Sequence, residues 1–352
     1  MSRFLSDRFS NIEPYTPGEQ LNDKKYIKLN TNESPFPPAP LAQQYAKKEA
    51  EKLQLYSDPQ CRDLIAMAAQ KLGVAENEII FTNGSDEVLN FAFMAFGGSG
   101  VIFPEISYGF YEVYAELYRL DYEKIPLEAD FALDYQKYCG KHKMVVIANP
   151  NAPTGLCLTV QEIEGLLQEN PDHVVIVDEA YVDFGGTSCY TLIETYENLL
   201  VVRTFSKSRC LAGARLGYAF GSPALIEDLE KLKYSTNPYN VNRLTMLLGC
   251  KTVEAEPYYQ EVSRKIQSAR AWAVDALKAQ GFEVLPSKAN FIFARHPEIS
   301  GDNLYKGLRQ RGILVRHFTK ERIKDFVRIT IGTQAQMECL VDALKEMTGG
   351  VK

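Results

Sequence analysis

VVRTFSKSRCLAGARLG, residues 201–217, joins a buried strand to a loop that is rich in basic and hydroxyl side chains. The apolar residues at its start predict the strand, and Lys207 follows in the loop with Thr204, Ser206 and Arg215. A lysine beside other cations has its ammonium form disfavoured, so it can act as an amine nucleophile. The hydroxyls and the arginine can hold a phosphate, which arginine binds in a bidentate way. A solvated basic loop is the alternative for this segment alone.

A second buried strand ends in an acidic residue. In HVVIVDEAY, residues 173–181, four apolar residues are typical of a parallel strand buried on both faces. Asp178 follows at the carboxyl end of that strand, where open α/β sheets bind ligands. A carboxylate there needs a partner, and the alternatives are a pyridinium nitrogen that keeps it ionised and an arginine in a structural pair. Tyr181 can reach the same site.

The order of the predicted elements indicates an α/β fold with a second module. Strands and helices alternate from about residue 79 to 220, which favours a mainly parallel sheet with helices on both faces. A long helical stretch, 244–279, has a predicted break near Pro257, and the strands and helices after it form a compact α+β module. We therefore predict an N-terminal arm at residues 1–29, a large domain at 30–243 and a small C-terminal domain at 244–352.

Composition and charge exclude several classes of function. Of the 352 residues, 45% are hydrophobic and 24% charged, as is ordinary for a globular enzyme. The net charge of −6 does not favour binding to nucleic acid. No apolar run approaches the ~20 residues that span a bilayer, and the N-terminus lacks the apolar core of a signal peptide.

Cysteine and histidine usage adds a prediction about location and metals. The seven cysteines are odd in number and form no CxxC pair, so we expect reduced thiols in a cytoplasmic protein. The four histidines show no metal-ligand spacing, and no metal is expected.

Five motifs in fixed order carry a family resemblance. They are TNGSDE (82–87), NPNAPTG (149–155), VDEAYVDF (177–184), TFSKSRCLAGARLGY (204–218) and VRITIGT (327–333). Together they resemble the fold-type-I enzymes that use pyridoxal 5′-phosphate, within the class II aminotransferases, and among those the histidinol-phosphate aminotransferase family. The resemblance implies a large domain with a mostly parallel seven-stranded sheet flanked by helices, and a smaller α+β C-terminal domain.

The resemblance assigns roles around the cofactor ring. Lys207 is expected to form the internal aldimine with pyridoxal phosphate and then to act as general base and acid. Asp178 is expected to keep the ring nitrogen protonated, which makes the ring an electron sink. Tyr181 is expected to donate to the 3′ oxygen, and Tyr108 in PEISYGFY to stack on the ring.

A phosphate site is predicted where TNGSDE enters a helix. Gly84 permits a tight turn, and Ser85 or Asp86 is a candidate N-cap. The helix start offers N–H groups and the positive end of the dipole, although a plain capped helix would look the same. The resemblance adds side chains that hold the phosphate, namely Thr204, Ser206 and Arg215.

Tyr56, in LYSDP, matches a family tyrosine that crosses a dimer interface to the phosphate of the neighbouring subunit. If this role carries over, the protein is at least a homodimer. A packed aromatic residue before a turn is the alternative.

One position departs from the family pattern. Most relatives have an asparagine just before Pro-Thr-Gly, where its amide binds the 3′ oxygen, but this sequence has Ala152. Either Tyr181 alone holds that oxygen, or Asn151 or Asn149 substitutes.

Two arginines near the C-terminus, Arg316 and Arg328, lie at or beside predicted strands. An arginine there needs an acidic partner, and a structural ion pair is the alternative to a ligand. The resemblance has both facing the cleft, where arginines bind the carboxylates of glutamate in one half-reaction and a phosphate in the other. Tyr15 and Asn32 are expected near the same end as substrate-binding residues, although Asn32 capping a turn is also open.

The resemblance therefore implies a transaminase of histidine biosynthesis. It would exchange an amino group between histidinol phosphate and 2-oxoglutarate, giving imidazole acetol phosphate and glutamate. The alternatives on this scaffold are a threonine-phosphate decarboxylase and an aromatic-amino-acid aminotransferase. A non-catalytic module that binds pyridoxal phosphate is a further alternative of another class.

Overall fold

The strands of the computed structural model form two sheets within the described residues, which are 5, 6, 9, 12–21 and 25–349. In chain order the strands are β1 (Ile27–Leu29), β2 (Ile79–Thr82), β3 (Val101–Pro104), β4 (Tyr122–Ile125), β5 (Met144–Ala148), β6 (Val175–Asp178), β7 (Leu199–Thr204), β8 (Gly217–Gly221), β9 (Glu283–Val284), β10 (Phe291–Arg295), β11 (Ile313–His317) and β12 (Phe326–Thr330).

The larger sheet has seven strands in the order β2-β8-β7-β6-β5-β3-β4. Strands β3 to β7 pair in parallel, whereas β8 runs antiparallel to both β2 and β7. The predicted seven-stranded, mostly parallel sheet is confirmed.

Helices cover both faces of this sheet and one side of the smaller sheet. They are α1 (Pro40–Glu49), α2 (Arg62–Leu72), α3 (Ser85–Phe96), α4 (Phe110–Tyr118), α5 (Val160–Gln168), α6 (Pro223–Thr236), α7 (Arg243–Glu254), α8 (Glu256–Lys278), α9 (Gly301–Gln310) and α10 (Gln334–Thr348). On β6, Val175 and Val177 pack in a cluster with α2 and α5, while Ile176 packs with α3, α4 and α6. Side chains alternate along a strand, so both faces of β6 are buried, as its apolar run predicts.

The smaller sheet has the order β1-β11-β12-β10-β9 and packs against α8, α9 and α10. Strand β1 lies in the segment that we predicted to be an arm, yet it pairs in parallel with β11. Helix α7 packs against α1 and α2, whereas the apolar face of α8 packs with the smaller sheet. The domain boundaries at residues 29/30 and 243/244 stay predictions, and part of the arm lies outside the described residues.

Local predictions agree in most places. Helix α2 ends at Leu72 and Gly73 follows in the left-handed conformation, with φ of 73°. The helical stretch after residue 243 breaks at Ala255, just before Pro257. Two predictions were wrong. The amphipathic pattern of residues 41–55 predicts one helix over that range, but the chain is α-helical only to Glu49 and continues as a 3₁₀ turn over residues 50–52.

The second wrong prediction concerns the start of α3. Ser85 and Asp86 are already helical, and the N-cap residue is Gly84, whose φ of 79° and ψ of 160° turn the chain into the helix. Within the described part of the chain, we find no helix whose length and apolar character would let it span a bilayer.

Candidate active site

The candidate site lies at the carboxyl edge of the parallel strands. Strands β5, β6 and β7 run in parallel, and Asp178 at the end of β6 pairs with Ala148 on β5 and with Val202 on β7, two residues before β7 ends at Thr204. A cavity of about 350 Å³ opens at this edge. Its lining residues are Thr31, Glu33, Ser85, Asp86, Tyr108, Ala148, Ala152, Asp178, Ala180, Tyr181, Thr204, Ser206, Lys207, Ala212, Gly213 and Arg215. The structure thus brings together most residues of the predicted cofactor site.

Lys207 lies against the loop that follows β1. Its Nζ donates to the carbonyl oxygen of Thr31 over 3.4 Å and lies 5.9 Å from the ring centroid of Tyr181. Sequence reasoning missed Thr31, since a main-chain acceptor leaves no signal in residue type.

Asp178 is fully buried, and two donors hold its carboxylate. Tyr111 donates its hydroxyl hydrogen to Oδ2 over 2.9 Å, and the main-chain N–H of Ala180 donates to Oδ1 over 3.1 Å. No basic side chain of the described chain forms an ion pair with it. Burial raises the pKa of Asp178 to about 6, although the Tyr111 hydrogen bond lowers it. The site therefore contains a carboxylate that a cationic ligand would keep ionised.

Tyr111 was also missed from the sequence. It lies on α4, one turn before Tyr114, and packs on the same sheet face as Ile176 and therefore as Asp178. The helical spacing of the two tyrosines was the available signal, but it predicts only a buried face and not a carboxylate partner.

The start of α3 forms a cradle for an anion. Gly84 has no side chain, and a Cβ there would lie 2.5 Å from Arg215 Nη2. A Cβ on Gly217 would lie 2.2 Å from the main-chain nitrogen of Ser85, so only glycine allows β8 to approach the helix start. The first N–H groups of a helix have no intrahelical acceptor and carry the positive end of the dipole. Arg215 approaches the same point and pairs with Asp86 at 2.9 Å.

Aromatic residues form the wall above the start of α3. Tyr108 donates its hydroxyl hydrogen to Asp86 Oδ1 over 2.8 Å, and burial raises its pKa. Tyr15 stacks on Phe110 with a centroid distance of 4.4 Å and lies 6.1 Å from the Tyr108 ring. The described N-terminal segment therefore covers one side of Tyr108.

Arg316 and Arg328 lie opposite each other on β11 and β12, next to the cavity but not in its lining. Neither forms an ion pair with a described carboxylate. Arg316 donates to the carbonyl oxygens of Thr16 and Pro17, and Arg328 donates through Nη2 to the carbonyl oxygen of Asn30. The Nε of Arg328 is buried without a hydrogen-bond partner in the described chain. Like charges directly opposite each other on paired strands repel, so a bound anion would stabilise this arrangement.

Six predicted site residues do not line the cavity, namely Tyr15, Asn32, Tyr56, Asn151, Arg316 and Arg328. Asn151 is buried in its own loop, where it donates to Ile106 and Thr154 and accepts from Ser107, so its amide is fully engaged. Tyr56 is 80% exposed and stacks on Tyr239 at 4.6 Å.

Asn149, the other predicted substitute for the missing asparagine, exchanges hydrogen bonds with the main chain of Leu158. Asn32, which also lies outside the lining, is 1% exposed and directs its amide at the hydroxyl of Tyr181. Ala152 lines the cavity at the position where most relatives have asparagine. Neither Asn149 nor Asn151 is part of the lining.

Comparison with known proteins identifies the family. A model of the aminotransferase class I and II family matches residues 24–344. The chain belongs to the class I and II aminotransferases. The resemblance inferred from the five motifs is confirmed.

Several curated relatives within this aminotransferase family match over nearly their whole length. The histidinol-phosphate aminotransferase of Clostridium acetobutylicum is 47% identical over 349 residues, which cover 98% of this chain and 99% of the relative. The protein of the same name from Marinomonas sp. (strain MWYL1) is 48% identical over 355 residues, covering 99% and 100%.

Solved structures agree in fold with this aminotransferase. Histidinol-phosphate aminotransferase from Sinorhizobium meliloti, in complex with pyridoxal 5′-phosphate, has a TM-score of 0.90 at 23% identity and covers both chains fully. L-threonine-O-3-phosphate decarboxylase from Porphyromonas gingivalis has a TM-score of 0.81 at 24% identity and covers 92% of this chain and 99% of its own. These two likenesses concern the fold alone.

Proposed function

We propose that this aminotransferase uses pyridoxal 5′-phosphate to exchange an amino group between histidinol phosphate and 2-oxoglutarate. The observation that supports this cofactor is that one cavity contains both the amine of Lys207 and the buried carboxylate of Asp178, which lacks a basic partner among the described residues. The choice of substrates is supported by the relatives of that name at 47–48% identity.

The residues of the cavity fit this cofactor. The two-glycine cradle at the start of α3 suits a phosphate, which the N–H groups of Ser85 and Asp86 and the side chains of Thr204, Ser206 and Arg215 would hold. Asp178 would bind a protonated ring nitrogen, and Tyr108 would pack on the ring.

When bound, pyridoxal phosphate supplies an aldehyde that reacts with amines and a protonated ring that takes up electrons. The protein supplies the rest. Lys207 Nζ would accept the exchanged proton and return it, since it is the amine of the cavity. Asp178 would stay ionised beside the ring, and Tyr181 would donate to the 3′ oxygen of the cofactor.

The arginine pair supports an anionic substrate. Arg316 and Arg328 are opposed across β11 and β12, and no described carboxylate neutralises either of them. Guanidinium groups bind carboxylate and phosphate in the same bidentate way, so one pair can serve glutamate and an amino-alcohol phosphate in turn. Tyr15 would lie at the same end. Burial raises its pKa, and the two arginines oppose part of that rise.

We also propose that the protein acts as a homodimer. Leu53, Leu55 and Tyr56 are more than half exposed, and Tyr239 stacks on Tyr56 at the same surface. A second copy would cover this apolar patch and receive the Tyr56 hydroxyl at its phosphate site. A cytoplasmic location is supported by the free thiols of all seven cysteines.

The test is an assay of purified protein with pyridoxal phosphate and one of four amino compounds. Histidinol phosphate, phenylalanine and threonine phosphate are each paired with 2-oxoglutarate, and glutamate is paired with imidazole acetol phosphate for the reverse reaction. We expect glutamate to form fastest from histidinol phosphate, without release of carbon dioxide. Lys207→Ala should abolish turnover and the visible absorbance of the bound cofactor, whereas Lys306→Ala, an exposed lysine on α9, should keep both. Carbon dioxide from threonine phosphate without glutamate formation would refute the proposal.

A further inference from the structure

The amide of Asn32 lies at the end of a directed chain of hydrogen bonds. The main-chain N–H of Asn32 donates to Thr330 Oγ1 over 3.0 Å, so this hydroxyl uses its own hydrogen elsewhere. That hydrogen goes to Asn32 Oδ1, at 2.9 Å. The oxygen of the amide is thereby fixed toward Thr330, and the NH₂ group must point the other way.

The NH₂ group of Asn32 donates to the hydroxyl oxygen of Tyr181 over 3.1 Å. The side-chain amide of Asn290 donates to the main-chain carbonyl oxygen of Asn32 over 3.0 Å. Asn32, Asn290 and Thr330 are each at most 2% exposed. With φ of 56°, Asn32 has a left-handed backbone that asparagine tolerates better than most residues. The amide is therefore held rigidly in one orientation.

The hydrogen of the Tyr181 hydroxyl is left for the cavity. Tyr181 lines the cavity, and none of the described residues accepts a hydrogen bond from it. Its neighbour in the wall is Ala152, which packs with Phe291 and offers no polar group. On this part of the wall the Tyr181 hydroxyl is the side-chain donor that a ligand meets.

We propose that Asn32 is a positioning residue that acts through Tyr181. Its amide occupies the hydroxyl oxygen and so directs the hydroxyl hydrogen at an acceptor in the cavity, in place of the direct contact with substrate that the sequence suggested. The inference rests on the proposed function, in which that acceptor is the phenolic oxygen of pyridoxal phosphate. A hydrogen bond donated to this oxygen would stabilise its negative charge. The nitrogen that joins Lys207 to the cofactor would then bind its proton less tightly.

The readout is the pH midpoint of the visible absorption band of the bound cofactor, measured without substrate. In Asn32→Gly, which keeps the left-handed backbone accessible, we expect the midpoint to rise by about half to one pH unit, as the loss of one neutral hydrogen bond implies. Tyr181→Phe should raise it at least as far. In the double variant Asn32→Gly/Tyr181→Phe, the midpoint should equal that of Tyr181→Phe.

The other titratable and charged groups that face Tyr181 and Lys207 stay the same in all these variants. They come from every element around the cavity and are Tyr15, Glu33, Asp86, Tyr108, Tyr111, Asp178, Arg215, Arg316 and Arg328. The difference between Asn32→Gly and wild type therefore isolates the amide. Asn32→Asp keeps the size of the side chain but adds a carboxylate, which accepts a hydrogen bond where the amide donated one. It should also raise the midpoint, and by less when Tyr181 is Phe, because only the effect of the added charge then remains.

The outcomes separate two failures. If wild-type protein binds no pyridoxal phosphate and shows no visible band, the proposed function is refuted and this inference with it. If the band appears but Asn32→Gly and Asn32→Asp keep the wild-type midpoint, the inference alone is overturned. A rise that persists in full in the Tyr181→Phe background would also overturn it, because Asn32 would then act without Tyr181.

Discussion

Tyr111 and Asp178 share a hydrogen bond of 2.9 Å beneath the cavity, with the phenol as donor and both side chains buried. The bond crosses from α4 to the end of β6 and lowers the pKa of a carboxyl that burial raises. The ability of Asp178 to stay ionised therefore depends on a residue outside the cavity lining.

Tyr111→Phe should weaken cofactor binding, and more so in acid. Without the phenol, the pKa of Asp178 rises further above about 6, so a larger fraction is protonated and cannot hold a cationic ring. A hydrogen bond to a charged group contributes about 1.5–3 kcal/mol, so we expect a loss of affinity of roughly tenfold or more. Absorbance titrations with pyridoxal phosphate at pH 6 and pH 8 measure it.

Tyr138→Phe is the matched control. The Tyr138 hydroxyl is also buried, but it has no hydrogen-bond partner among the described residues, so its removal should leave cofactor affinity unchanged. Equal affinities for the two variants would contradict the role of Tyr111.

Asp178→Asn should stabilise the cofactor-free protein at neutral pH. The native pKa of about 6 lies above the ordinary 3.8, so the native state binds the proton more tightly than the unfolded chain. The free energy of unfolding therefore falls as pH rises from about 4 to 6. The fall is at most about 3 kcal/mol, at about 1.36 kcal/mol for each unit of difference between the two pKa values. Asparagine avoids this cost, because it can accept from Ala180 and donate to the Tyr111 oxygen.

Thermal melts of the cofactor-free proteins at pH 4.5 and pH 8 test this difference. The gain in melting temperature should be clearly larger at pH 8 than at pH 4.5, where the carboxyl of the unfolded chain is still partly protonated, while the variant loses affinity for pyridoxal phosphate. A wild-type protein that melts higher than Asp178→Asn at pH 8 would show that the buried carboxylate does not carry this cost.

Arg328→Ala should raise the Michaelis constants for both histidinol phosphate and 2-oxoglutarate. Arg328 is half-buried with its Nε enclosed, and burial lowers its pKa, so an anion bound there is largely desolvated and the loss of the pair costs about 2–5 kcal/mol. Steady-state kinetics with each substrate varied in turn measure the effect. Arg295→Ala, which removes an exposed pair with Glu283, should leave both constants near wild type; an equal change in the two variants would argue against an anion site.

Mixing an impaired variant, Tyr56→Phe, with an inactive one, Lys207→Ala, tests the crossing of Tyr56. Tyr56→Phe keeps Lys207, and Lys207→Ala keeps Tyr56, so a hybrid dimer has one site with both groups only if Tyr56 acts in the partner subunit. We expect Tyr56→Phe to weaken cofactor binding and co-refolded mixtures to regain activity. Mixtures that stay at the level of Tyr56→Phe alone would indicate that Tyr56 serves its own subunit or none.

Periodicity and motif order predicted most of the fold. The buried runs at 174–177 and 199–202 predicted parallel strands because strands buried on both faces are continuously apolar. Strand β4 (Tyr122–Ile125) was not predicted, since it lies at the sheet edge and mixes charged with apolar residues. Strand β1 was not predicted either, because three residues give no pattern and its partner lies near the other end of the chain.

Side-chain chemistry predicted the cavity lining better than the contacts around it. Lys207, Asp178 and Arg215 have reactive or charged groups that are rare at buried strand ends, so they were recognisable. The direction of the Asn32 amide could not be recognised in this way, because it depends on Thr330, which lies almost 300 residues away along the chain. The contacts of Asn151 within its own loop were not predictable for the same reason, and its role at the cofactor stays a prediction.

The parallel pairing of residues 27–29 with 313–315 has a consequence for biosynthesis. The seven-stranded sheet is complete once residue 221 has left the ribosome, but β1 must wait for a strand made near the end of translation. Thr31 and Asn32 follow β1 directly, so the loop that touches Lys207 and Tyr181 can settle only after that late strand arrives. A nascent chain would thus have a folded sheet well before its candidate active site is assembled.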